Sequence, residues 1–115
     1  MDLETLLRQV GGDSSFLIEL ARRFDTQSSA DLQRIEQAIA GQDANALRTA
    51  AHRLKGTTGS IIAAKAHAIS QQLEQLAIAG TLDGAEELLG QVRAEVDRCA
   101  RHMVEYKAQN QITTR

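Results

Sequence analysis

Not one of the 115 residues is proline. Proline removes a backbone donor and clashes with the preceding turn, so a chain without it can run helical over long stretches. The other residue types agree: aromatics are 3%, Trp is absent, and Ala, Leu, Gln, Glu and Arg are abundant. Straight-chain and small side chains lose little rotamer freedom in a helix, and aliphatic stripes must then form the core. With 43% apolar and 24% charged residues the chain can bury such a core. One domain is expected at this length, and an all-β fold or a Pro-rich linker is excluded.

Apolar spacing predicts the helices in turn. Leu3, Leu6, Leu7 and Val10 read as a short amphipathic helix stopped by Gly11-Gly12, a lid on one end of the core. Asp13 is placed to cap a long second helix carrying Phe16, Leu17, Leu20, Phe24, Leu32, Ile35 and Ile39, with Ser28-Ser29 as its weak point and Gly41 as its break. Asp43 caps a third, with Leu47, Ala50, Ala51, Leu54, Thr58 and Ile61 along one line and a turn near residues 60 to 63. The fourth carries Ala66, Ile69, Leu73, Leu76 and Ala77 and ends at Gly80. The last starts near Asp83, with Glu86 completing a capping box, and runs through Leu89, Val92, Val96, Cys99, Met103 and Tyr106. The expected fold is all-α: an antiparallel four-helix bundle over residues 1–108 with a short additional N-terminal helix, then a frayed polar tail over 109–115.

One sector of the third helix does not belong to that core. Winding at 100° per residue puts Arg48, His52, Lys55, Gly56 and Gly59 together, facing away from the Leu47–Leu54 line. Each exposed helical glycine costs about 1 kcal/mol relative to Ala. Missing side chains beside an imidazole leave room for another macromolecule to approach it. Charge adds to this. From Ala44 to Leu73 there is no Asp or Glu, but Arg48, Arg53, Lys55 and Lys65 are present; all 15 acidic residues and the other basic ones lie elsewhere. The exposed histidine therefore stands in a locally positive surface suited to an acidic partner and to a phosphoryl group.

The segment Ala51-His52-Arg53-Leu54-Lys55-Gly56-Thr57-Thr58-Gly59 resembles the signature of histidine-containing phosphotransfer (HPt) domains, A-H-x-L-K-G followed by small residues. Gly11-Gly12-Asp13, Gly41-Gln42-Asp43 and Leu73-Glu74 also fall where such domains have comparable residues, so the likeness spans nearly the whole chain. The resemblance implies a phosphorelay intermediate: His52 exchanges a phosphoryl group with the aspartate of a receiver domain. It implies no ATP site and no cofactor of its own, with Mg2+ supplied by the receiver. It makes Lys55 the cation near the phosphate, and Gly56 the gap that permits docking, with Arg48 and Gly59 on the same docking face. Ile62 and Ala66 depart from the family pattern, in the turn and in core packing.

Imidazole attacks phosphorus through one nitrogen while a hydrogen bond on the other fixes the tautomer. In a hairpin turning near residues 61 to 62, His52 faces positions near 71, which makes Gln71 and Glu74 the candidates. Glu74 either accepts from His52 Nδ1, freeing Nε2 to attack, or pairs with Lys55.

His67 and His102 stand in no metal-binding spacing and read as surface residues, although His67 is the one rival acceptor. Cys99 reads as core. The net charge of −2 gives no case for nucleic acid, and no apolar run is long enough to span a membrane. Asp2 and Glu4 do not suit a signal peptide, and a lone cysteine suits a reducing compartment, so a cytoplasmic setting is expected, as a free protein or as the C-terminal module of a membrane-anchored sensor kinase. The competing reading is a non-catalytic helical adaptor or self-associating bundle.

Overall fold

The structure, a computed structural model, describes the backbone of residues 14–60 and 63–113 and the side chains of residues 18–59 and 63–102. The expected short helix around Leu3 to Val10, its neighbour Asp13, and the side chains of Phe16, Leu17, Ile61, Ile62, Met103 and Tyr106 lie outside that range. Among the described residues there are four helices: α1 Ser14–Ala40, α2 Ala44–Ser60, α3 Ala64–Ile78 and α4 Ala85–Thr113. Each packs on the next, and α4 returns to α1, closing an antiparallel bundle.

The reason lies in the spacing of the buried residues. Phe24, Ser28, Asp31, Ile35 and Ala38 on α1 alternate steps of four and three, as do Leu47, Ala51, Leu54 and Thr58 on α2. Ala66, Ser70, Leu73 and Ala77 on α3 repeat it, as do Ala85, Leu89, Val92, Val96 and Cys99 on α4. A mean repeat of 3.5 keeps one seam of each helix facing its neighbours at a shallow crossing angle, so four seams meet in one core. The hydroxyls within the seams bond back to their own helix: Ser28 Oγ to Asp25 O, Thr58 Oγ1 to Leu54 O, Ser70 Oγ to Ala66 O. Among the described residues no buried side-chain nitrogen or oxygen lacks a hydrogen bond. α1 is helical straight through Ser28-Ser29.

The helix ends follow side-chain chemistry, with three departures from expectation. Asp43 Oδ1 accepts from Ala46 N–H at 3.0 Å and caps α2 as its position suggests. At the end of α1, however, the left-handed residue is Gln42 (φ 52°) and not Gly41. Bonds from Asp43 N to Ala38 O and from Gln42 N to Ile39 O close a Schellman motif around it. Gly80 (φ 79°) does the same after α3. The second departure is at α4, which begins after Gly84 (φ 85°), whose carbonyl accepts from Leu88 N–H. Asp83 stands one residue too early to cap it, so no Asp83–Glu86 box forms, and Glu86 and Glu87 instead occupy the positive first turn. Third, the backbone of α4 stays helical through Thr113, past the expected boundary at 108.

A non-glycine residue held left-handed carries a steric penalty that glycine escapes. Gln42→Gly is expected to stabilise the fold by about 0.5–1 kcal/mol, raising the melting temperature by roughly 2–5 °C. An unchanged or lower melting temperature would contradict the assignment of strain to that turn.

Candidate functional site

The seam of α2 decides what its flank presents. With Ala51 and Leu54 fully buried, the residues that follow each, His52 and Lys55, are turned by about 100° toward the edge of the groove between α2 and α3. The His52 side chain is 67% exposed and that of Lys55 28%. Across the groove, Leu73 is buried in the α3 seam and Glu74 follows it at only 8% exposure. Glu74 is also the first acidic residue after Asp43.

Glu74 uses both carboxylate oxygens. Oε2 lies 2.7 Å from His52 Nδ1, and Oε1 accepts from Lys55 Nζ at 2.7 Å. The sequence leaves these two pairings as alternatives; the structure contains both. The hydrogen bond from Lys55 holds the Glu74 carboxyl below its ordinary 4.5, against the upward push of burial and with further help from the His52 contact. An ionised carboxylate only accepts, so the hydrogen of a neutral His52 ring sits on Nδ1 and the lone pair on Nε2. The ring thus presents an unprotonated nitrogen on a mostly exposed side chain.

Gln71 is exposed and takes no part in these bonds, which corrects its candidacy. It lies off the α3 seam, whereas Glu74 sits at the seam's edge and reaches across. Arg48 and Gly56, one turn to either side of His52, are both exposed. A Cβ on Gly56 would meet nothing within 4 Å, so the fold itself does not need a glycine there.

Gly59 is different. A Cβ there would stand 3.2 Å from His67 Nδ1 and 3.3 Å from its Cε1, so the missing side chain accommodates an imidazole of α3. His67 is accordingly no plain surface residue: it is partly buried and its Nδ1 lies 2.9 Å from the Lys55 carbonyl oxygen. His102 is exposed. Cys99 is buried, which raises its thiol pKa and leaves it a core residue.

Asp31 is a further residue that sequence reasoning passes over. Only 4% exposed, it accepts from Arg34 Nη1 at 3.2 Å and from Thr57 Oγ1 at 3.4 Å, tying α1 to the glycine-bearing half of α2. Burial pushes its carboxyl upward against the pull of Thr57 and the two arginines Arg34 and Arg53. Its signal is its place in the alternating four-three series between Ser28 and Ile35.

The Glu74 shift sets a pH dependence. Its folded value lies below its unfolded one, so its contribution to stability is complete above the ordinary carboxylate range and is lost as pH falls through the lower folded value. Asp31, shifted the other way, contributes a slope of opposite sign that cancels between variants. The stability advantage of wild type over Glu74→Gln is expected to be largest near about pH 7 and to shrink on acidification below about pH 4.5 in denaturant titrations. A difference independent of pH would contradict an ionised, bridging Glu74.

Comparison with known proteins concerns the family and the fold. The Hpt domain model matches residues 19–102. Among solved structures, histidine-containing phosphotransfer protein B (HptB) from Pseudomonas aeruginosa PAO1 superposes with a TM-score of 0.82 at 24% identity, covering 93% of this chain and 90% of that one. At that identity the likeness concerns the fold. No match was found among curated proteins. An all-α bundle bearing an A-H-x-L-K-G segment within the matched span leaves one assignment: the chain belongs to the Hpt domain family, the histidine phosphotransfer modules of two-component signalling, which have no kinase ATP site.

Proposed function

We propose that His52 is the residue that takes up and hands on the phosphoryl group, and that its partner is the receiver domain of a response regulator or hybrid kinase. The observation that carries this reading is the Glu74 carboxylate on His52 Nδ1, which leaves Nε2 as the nucleophile on an exposed ring. Nε2 attacks the phosphorus of a receiver aspartyl phosphate. The N–P bond forms as the bond from phosphorus to the aspartate oxygen breaks, and the carboxylate leaves. The ring gains positive character as Nε2 is phosphorylated, and the carboxylate already bound to Nδ1–H offsets it.

Phosphoryl transfer needs mainly positioning and charge stabilisation. This chain contributes a fixed imidazole, and Lys55 stands by with two ammonium hydrogens beyond the one given to Glu74. The receiver contributes the aspartate, its catalytic residues and Mg2+. Arg48 and the bare surface at Gly56 form the approach, and the acid-free stretch around them suits the carboxylates that surround a receiver's aspartate. The expected setting is cytoplasmic; among the described residues no helix is long and apolar enough to cross a membrane.

Incubation with a phosphorylated receiver and Mg2+ is expected to label the wild type with acid-labile, alkali-stable phosphate, and to leave His52→Gln unlabelled. In the same assay Gly56→Leu is expected to fold normally yet accept phosphate on the order of tenfold more slowly, because the obstruction lies at the interface. Label on His52→Gln would overturn the assignment, and receiver binding without any label would favour an adaptor.

A further inference from the structure

Lys55 is held at both ends. Its ammonium is bound by Glu74 at 2.7 Å, and its backbone carbonyl lies 2.9 Å from His67 Nδ1. Both partners sit on α3, seven residues apart; on α2, His52 and Gly59 are likewise seven apart. Seven residues are two turns, about 10.5 Å, so the His52–Glu74 and Gly59–His67 contacts lie in register along one groove. Lys55 lies between them.

The stretch so gripped is the part of α2 least able to stay helical by itself. Gly56, Thr57, Thr58 and Gly59 follow one another, two glycines costing about 1 kcal/mol each relative to Ala and two β-branched residues of low helix propensity. Tertiary contacts must hold it. A helix carbonyl ordinarily accepts one N–H from four residues on, but that of Lys55 also accepts from Thr58 Oγ1 at 3.1 Å and from His67. A carbonyl oxygen cannot donate, so His67 must carry its hydrogen on Nδ1.

Gly59 completes the device. Its φ lies outside the left-handed range, so the backbone does not demand glycine there. Space favours it: a Cβ would press within 3.3 Å of two imidazole atoms, and the ring would have to give by a few tenths of an ångström. Gly59 and His67 are thus a matched pair, one vacating the volume that the other fills on its way to Lys55.

We infer that His67 is a positioning residue for phosphotransfer, a clamp seated over Gly59 that fixes the backbone of Lys55 and with it the alignment of Lys55 and His52 on Glu74. Gly59 accordingly belongs to this clamp and not to the docking face. The inference rests on the phosphotransfer reading above.

Four variants test it: His67→Ala, His67→Asn, Gly59→Ala, and His67→Ala combined with Gly59→Ala. In Asn the amide nitrogen occupies the place of imidazole Nδ1 and can donate to the same carbonyl. Transfer from a phosphorylated receiver is followed against receiver concentration, and amide hydrogen exchange over residues 55–60 is followed without receiver. His67→Ala and Gly59→Ala are each expected to slow transfer at saturating receiver about tenfold, the scale of one lost hydrogen bond, with half-saturation unchanged and faster exchange. His67→Asn should stay within about threefold of wild type, and Gly59→Ala should add nothing once His67 is gone.

The clamp is refuted if His67→Ala transfers and exchanges like wild type. It is refuted equally if the two effects add, or if the variants raise half-saturation and leave the saturated rate alone, which would return Gly59 to the docking face. Should even the wild type take up no label, the phosphotransfer reading fails instead. Hydrogen exchange then judges the clamp alone: loss of protection in His67→Ala with rescue by Asn keeps it, and unchanged protection removes it.

Discussion

A single buried carboxylate organises the site. Glu74 stands where the α3 seam meets the groove, and one of its oxygens binds an ammonium while the other binds an imidazole. Either contact alone would leave half of a buried anion unsatisfied, at a cost of about 1–3 kcal/mol or more. Together they neutralise it, fix the ring's tautomer, and leave the lone pair on the opposite nitrogen of a mostly exposed side chain. The burial of Glu74 and the exposure of His52 are two sides of the same arrangement.

The bundle supplies that carboxylate's address. Alternating steps of four and three along every helix bring α2 and α3 side by side in fixed register, so a residue just after a seam position on one helix meets its counterpart on the other. The connection formed by Gly41, Gln42 and Asp43, with Asp43 capping α2, sets where the histidine helix begins. Asp31 and Thr57 hold the far half of α2 to α1. The His52–Glu74–Lys55 cluster is therefore set by helix registration, and all three residues lie on helices.

Much of this was legible in the sequence. Freedom from proline and the spacing of Leu47, Leu54, Leu73 and Val92 read directly as helices and their buried faces, and Asp43 read as a cap because its side chain acts within one turn. His52, Lys55 and Gly56 were marked out by local pattern, and Glu74 by hairpin arithmetic. What escaped depends on contacts between elements or on backbone dihedrals. Gly41 and Gly84 bracket turns whose left-handed position composition alone does not locate, so Gln42 was missed and Asp83 misread. Gly59 is exposed, as its sector suggests, but the imidazole beside it comes from another helix and is invisible in the spacing of α2. Gln71 and Glu74 both lay within reach along the helix, and only the seam's rotation separates the exposed one from the buried one.

The chemistry of the site depends on the protonation geometry of one ring. Nitrogen-15 NMR of the imidazole of His52 in the unphosphorylated protein, above the pH at which the ring is cationic, tests it most directly. A pyrrole-like, protonated Nδ1 coupled to Glu74 and a pyridine-like Nε2 are expected. A ring with its hydrogen predominantly on Nε2, or one exchanging equally between tautomers as free imidazole does, would contradict it.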